Sequence, residues 1–278
     1  MSEEDSSRDA TMRHRLPKFF VLAFALAVPF WVLGAYTTLN LLPGLPIAAL
    51  ATFSPALAGT ILVYAEDGGA GVAAFLRRSL DFGRIKSKVW YVPVLLLMPA
   101  IMTASFGVAR LSGVPVPLPR IALVPTVILG VVFFVAALGE ELGWSGYATD
   151  PMQARWGALG AAIILGGIWV VYHYLGLVEV GRSTTWIEWW ALNTLALRVI
   201  IVWLYDNTGR SVFATALFHM TINVTWQLYP VNGSFFDPRL TGLITAAVAV
   251  VVVIVYGPRT LRRRDRVSRS QREAPPLE

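Results

Sequence analysis

Apolar residues in this chain fall in long blocks rather than in an alternating rhythm. A helix that crosses a membrane needs about 20 mostly apolar residues. Eight blocks approach or exceed that length: Phe19–Leu42, Ile47–Tyr64, Val89–Ala109, Ile121–Ala148, Gly157–Val178, Trp186–Tyr205, Ser211–Leu228 and Leu240–Tyr256. Pro- and Gly-rich turns, such as Leu42-Pro43-Gly44-Leu45-Pro46 and the run 113–119, separate several of them. The pattern predicts an all-α polytopic membrane bundle of about eight transmembrane helices. The last block ends in Ala246–Tyr256, a Val-rich run that would favour a strand in water. Its length and arginine-rich flank predict a lipid-facing helix instead. The chain shows no convincing internal repeat and no linker between two domains.

Composition agrees with the blocks. Of 278 residues only 14% are charged, against about 25% in ordinary soluble domains. Mean hydropathy is +0.61. The charges are segregated: residues 1–18, 65–88 and 258–278 hold 26 of the 40. This divides the chain into a tail (1–18), a membrane-embedded domain (19–257) and a basic tail (258–278). The positive-inside rule then orients it. With the N-terminus inside, inner loops and tails receive 18 Lys and Arg and outer loops 4. Both termini are expected in the cytoplasm. The net charge of +6 therefore reports inner loops facing the lipid bilayer, not a nucleic-acid partner. The first block is too long for a typical signal-peptide core and reads as a retained span. The absence of cysteine excludes disulfides, thiolate nucleophiles and Cys-ligated zinc. Twenty Arg against three Lys suggest a GC-rich bacterial genome, and so a bacterial cell membrane.

Ionisable residues inside spans are costly and mark function. The clearest here are Glu140 and Glu141, His173, His219 and Arg198, with Asn223 as a polar companion. His219 and Asn223 lie four apart and share a helix face, as do Trp169 and His173. Consecutive Glu140 and Glu141 point roughly 100° apart, so one faces a shared centre and the other supports it. Such a centre suits hydrolysis. A carboxylate near an imidazole accepts a proton from water, and a second imidazole with a carboxamide can donate to a tetrahedral oxyanion. Alternatively Glu140, His173 and His219 could ligate a divalent metal such as zinc, although no H-E-x-x-H helix is present. The rival readings are a multi-span transporter and a non-catalytic scaffold.

The run Gly139-Glu140-Glu141-Leu142-Gly143-Trp144-Ser145 resembles the first motif of the CPBP family, which includes the type II CAAX prenyl endopeptidases and bacteriocin-processing relatives. Trp169–His173 resembles its second motif, an aromatic residue four before a His. His219–Asn223 resembles the third. These motifs span a core from about residue 121 to 228. The resemblance implies an intramembrane endopeptidase acting on a membrane-associated protein or peptide. In it Glu140 would activate water and His173 would help hold it. His219 and Asn223 would form the oxyanion site, with Glu141 in support. The family is commonly called a metalloprotease, and a metal-free glutamate mechanism is also argued for it; the latter is favoured here. Two departures stand out. The family's Arg, four residues after the second Glu, is Ser145, and Tyr174-Leu175 replace a small apolar residue and Pro. Loss of the Arg leaves open a catalytically impaired scaffold or immunity protein of the same fold. Arg198 is expected to supply the missing cation from the sixth block; a guanidinium aimed away from both carboxylates would exclude this. One strain is visible. If the fourth helix ended near Ala148 and the fifth began at Gly157, straight helices would offset Glu140 and His173 by roughly 12 Å. Tilt, a break at Gly166-Gly167 or an in-plane segment at Pro151–Trp156 would have to close the gap.

Overall fold

The computed structural model describes residues 3–42 and 45–262, with side chains described from Arg15 onward. Tail residues 263–278 lie outside that range. Among the described residues, eight α-helices form the fold: α1 (Glu3–Tyr36), α2 (Ser54–Arg77), α3 (Tyr91–Leu111), α4 (Leu123–Gly143), α5 (Thr149–Glu179), α6 (Thr184–Asn207), α7 (Val212–Leu228) and α8 (Pro238–Tyr256). Each matches one apolar block. Among the described residues, six helical stretches are long and apolar enough to cross a membrane. One of these, Leu123–Glu179, contains both α4 and α5. The chain is an integral membrane helical bundle. A two-stranded antiparallel pair, β1 (Asn40–Leu42) and β2 (Leu45–Pro46), follows α1. The first helix begins at Glu3, inside the segment expected to be a tail. The valine-rich run lies wholly in α8.

The helix α6 is the central pillar. From Ala196 to Asp206 every residue is buried, and it packs on α5, α7 and α8. A helix apolar on all sides has no lipid-facing stripe and belongs in the middle. By contrast, the first half of α4 exposes Val124, Val127, Ile128 and Val131. Its last turn, Gly139–Gly143, is buried against α2. Glycine makes that approach feasible. A Cβ on Gly143 would stand 2.5 Å from backbone and side-chain atoms of Pro55, and one on Gly139 2.8 Å from the Thr52 carbonyl oxygen.

The expected loop between α4 and α5 is helical. A π turn at Trp144–Ala148 leads directly into Thr149, and the helix runs on to a break at Gly157, where φ is +70°. Residues 149–156 fall in the gap between the fourth and fifth apolar blocks, which implies a loop or an in-plane segment. Gly157 is the pivot of a folded-back pair. Glu140 lies 17 residues before it and His173 16 residues after it, or about 25 Å along each arm. The two sites therefore meet at equal distance from the pivot, which removes the axial offset. Trp144 and Tyr172 confirm the facing of the arms, with ring centroids 5.4 Å apart. No break occurs at Gly166-Gly167. The second arm starts with amide groups that no earlier turn can satisfy. Ala158 N–H donates to the Arg259 carbonyl and Leu159 N–H to that of Pro258, both at 3.0 Å.

The starts of α6 and α7 are fixed by side chains. Ser183 Oγ accepts from Trp186 N–H at the start of α6. Asp81 accepts from Ser211 Oγ–H at 2.7 Å and from the amides of Val212 and Phe213, tying the 78–84 loop to the start of α7.

Gly143→Ala is expected to destabilise the protein by about 1–3 kcal/mol through overpacking against Pro55. Gly167→Ala, whose Cβ would meet no atom within 4 Å, should leave stability unchanged or raised. Thermal unfolding of the two purified variants in detergent checks the contrast.

Candidate active site

Four of the five candidate side chains meet at one place. Glu140 and Glu141 arrive on the last turn of α4, His173 on the second arm of α5 and His219 on α7. Glu140 Oε1 lies 3.9 Å from His173 Nε2 and 4.0 Å from His219 Nε2. Asn223, one turn beyond His219, lines the same cavity. That cavity, of about 950 Å³, is walled mainly by aromatic and aliphatic side chains, among them Phe53, Trp186, Trp190 and Trp226.

The two carboxylates have separate environments. Glu140 Oε2 accepts from the indole N–H of Trp169 at 2.6 Å and from that of Trp144 at 3.2 Å. These bonds hold the carboxylate so that Oε1 faces the imidazoles, with Thr52 Oγ at 3.2 Å. Glu141 is fully buried and turned away from the cavity. It accepts from Arg198 Nη1 at 3.1 and 3.2 Å, from His219 Nδ1 at 3.0 Å and from the Ser145 hydroxyl. Arg198 is fully buried too. Its guanidinium also stacks on Trp169, 4.1 Å from the ring centroid. A single indole thus carries the cation on its face and donates its N–H to the other carboxylate. Gly166 leaves room for this arginine, since a Cβ there would meet Arg198 Cβ at 3.3 Å.

Hydrogen bonding sets the imidazole tautomers. His173 Nδ1 lies 3.0 Å from the Trp169 carbonyl oxygen, which only accepts, so Nδ1 carries the proton. His219 Nδ1 faces the Glu141 carboxylate and donates by the same logic. In neutral rings both Nε2 atoms then present lone pairs towards Glu140 Oε1. Three acceptors therefore face one small space. Separations of 3.9 and 4.0 Å are too long for direct hydrogen bonds. They suit one water held at about 2.8 Å from each pair. The same separations are wide for zinc, whose tetrahedral shell with bonds of about 2.0–2.1 Å sets ligand atoms roughly 3.3 Å apart. Among the described residues, no group of three His, Asp or Glu side chains is placed to hold a metal ion. The donor set as arranged does not fit one.

Spacing places Trp169 only beside His173; its bond to Glu140 is visible in the structure alone. Trp144, four residues after Glu140 and so on the same face, was a legible signal that went unread. Thr52 gave no signal at all. Its contact comes from the short turns of 47–53 packing on α4.

Residues 121–225 match the family model described as type II CAAX prenyl endopeptidase Rce1-like. The chain is also similar to a CAAX prenyl protease 2 of Methanococcus maripaludis, 26% identical over 265 residues, covering 84% of this chain and 92% of that one. The matched segment runs from just before α4 almost to the end of α7 and contains every candidate site residue, and Arg198 as well. The resemblance carried by the three motifs is thus met by a family match over the same core.

Replacing Arg198 with Leu leaves Glu141 buried without its cation and is expected to cost about 3–5 kcal/mol. Combining Arg198→Leu with Glu141→Gln removes both charges and should recover more than half of that loss. Thermal unfolding of both variants beside the wild type measures the difference.

Proposed function

We propose that the chain is an intramembrane endopeptidase that hydrolyses a peptide bond in a membrane-associated protein or peptide. The observation that carries this reading is the facing of Glu140 Oε1 and two imidazole Nε2 atoms at 3.9 and 4.0 Å on the wall of a large apolar cavity. The relative's name speaks of prenyl proteins; a substrate with a lipid-modified end suits a cavity walled by aromatic rings. Arg198 on Glu141 supports an active enzyme over an impaired scaffold, because the charge absent at Ser145 is present at the same carboxylate from another helix.

In this mechanism a water lies between Glu140 and His173. The Glu140 carboxylate takes its proton as the oxygen attacks the scissile carbonyl. Negative charge then develops on the carbonyl oxygen. Asn223 donates to it through its amide, and His219 through Nε2 when the ring carries both protons. Collapse breaks the C–N bond, and the proton on Glu140 passes to the leaving amine. Glu141 does not touch substrate in this scheme. It orients His219 through Nδ1 and is itself held by Arg198 and Ser145. No step uses a metal ion. The termini are proposed to lie in the cytoplasm, in keeping with the segregated arginines.

A membrane-anchored reporter peptide incubated with purified protein tests the reading. Wild type should release the product. Glu140→Gln and His173→Ala should each lower the rate by about a hundredfold or more. Equal activity in all three proteins would refute the proposal, as would the absence of cleavage across a set of anchored peptides. The chelator phenanthroline should leave the wild-type rate unchanged; its abolition, with recovery on adding zinc, would overturn the metal-free step.

A further inference from the structure

The cavity at Glu140 carries fixed charge at two points. Among the described residues its one acidic wall residue is Glu140, and its one Lys or Arg is Arg182. Arg182 sits in the turn between α5 and α6, and that turn is built to hold it. Gly181 takes a φ of +76°, the left-handed conformation that commonly ends a helix. Its amide donates to the Val178 carbonyl at 2.9 Å, and the Arg182 amide donates to the Leu177 carbonyl at 3.0 Å. These two bonds wrap the chain back over the last turn of α5. The Arg182 guanidinium then lies on the Trp186 ring, 4.6 Å from its centroid. Trp186 is fixed in turn by the Ser183 cap at its amide and by Phe236, edge-on at 6.2 Å between centroids. Stacking uses the face of a guanidinium and leaves its in-plane N–H groups to donate. No carboxylate pairs with Arg182 among the described residues, although Glu179 and Glu188 are close in sequence. The residue is half-buried and so remains open to a ligand.

Spacing along α5 places that ligand relative to the reacting bond. Arg182 follows His173 by nine residues. Six of them rise along α5 to Glu179, about 9 Å, and the turn adds at most roughly 4 Å more. An extended peptide advances about 3.3 Å per residue. A substrate carboxylate two to four residues from the scissile bond therefore reaches the guanidinium. The wall between the two points is apolar, with Gly176, Leu177 and Val180 from α5 and Trp190 from α6. It offers a negative group no competing partner, and Glu140 repels one from the reacting end. We infer that Arg182 is a specificity-determining residue that binds a carboxylate of the substrate, two to four residues from the bond to be cleaved, by charge-assisted hydrogen bonds. The inference rests on the endopeptidase reading and names what its substrate carries. That carboxylate is the free C-terminus of the peptide or an acidic side chain at the same spacing.

Three fluorescent, membrane-anchored peptides test it. One ends in a free carboxylate three residues past the expected bond, one ends there in an amide, and one has the amide end with an Asp side chain in that third position. Binding is measured on purified full-length Glu140→Gln protein in detergent, so affinity is read without turnover. At least one carboxylate peptide should bind about tenfold more tightly than the plain amide, and which of the two does so identifies the source. Adding Arg182→Gln should bring every peptide to the affinity of the plain amide. Arg182→Lys, which keeps the charge, should retain part of the preference. Arg120→Gln, at an exposed cation outside the cavity wall, should retain all of it. Equal binding of the three peptides would overturn the inference, as would a preference that survives Arg182→Gln or is lost equally in Arg120→Gln. Incubating the same peptides with wild-type protein separates the two readings. A carboxylate preference in binding without any cleavage would refute the endopeptidase reading alone. Cleavage of all three peptides with no preference in binding would refute the role of Arg182 alone.

Discussion

The contact between Glu141 and Arg198 is the constraint around which the centre of this bundle is arranged. Both groups are fully buried, in a protein whose surroundings are hydrocarbon. Neither charge could remain there alone. The pair therefore dictates that α4 and α6 approach closely at this level. It also determines what may stand beside them. His219 comes from α7 to the remaining carboxylate oxygen, Ser145 donates to the other, and Trp169 from α5 covers the guanidinium. Four helices are tied at one point. A buried pair of this kind contributes little net stability beyond what well-packed apolar residues would supply. What it supplies is specificity, because an arrangement that separated the two would leave each charge buried and unpaired.

From that point the site extends through one ring. Trp169 receives the cation on its face and directs its N–H to Glu140. Adjacent carboxylates on one helix turn thereby acquire different surroundings. Glu141 is neutralised by a guanidinium and excluded from the cavity. Glu140 is held by uncharged donors and faces it. The 100° step between consecutive helical residues makes the separation geometrically available. The indoles and the arginine make use of it. Ser145 shows the same economy of space: a hydroxyl occupies the position where the family motif has a long cation, and the cation enters from a neighbouring helix.

Much of this was legible in the chain. Block length and the segregation of charge identified the helices, and the scarcity of intramembrane polar groups brought Glu140, Glu141, His173, His219 and Arg198 to attention before any geometry was known. The connection between α4 and α5 was not legible. Residues 149–156 fall between two apolar blocks and so imply a loop, yet a helix can run on through polar residues. Only the positive φ of Gly157 shows where the chain turns. The tryptophans were also opaque. In a membrane protein an indole reads as apolar filling or an interfacial anchor, and its single N–H is invisible to a hydropathy argument. Thr52 belongs to a third class, since its contact with Glu140 spans 88 positions and follows no periodicity.

The carbonyls of Pro258 and Arg259 have a consequence in time. They complete the start of the helix that carries His173, yet they follow it by about 100 residues. A ribosome adding about 5–20 residues per second would need roughly 5–20 s to cover that distance. Throughout that interval the amides of Ala158 and Leu159 must find water or another acceptor. The arm bearing His173 thus reaches its final state only after the last span has been made. During synthesis Glu140 and His173 would thus be inserted early and brought into final register late.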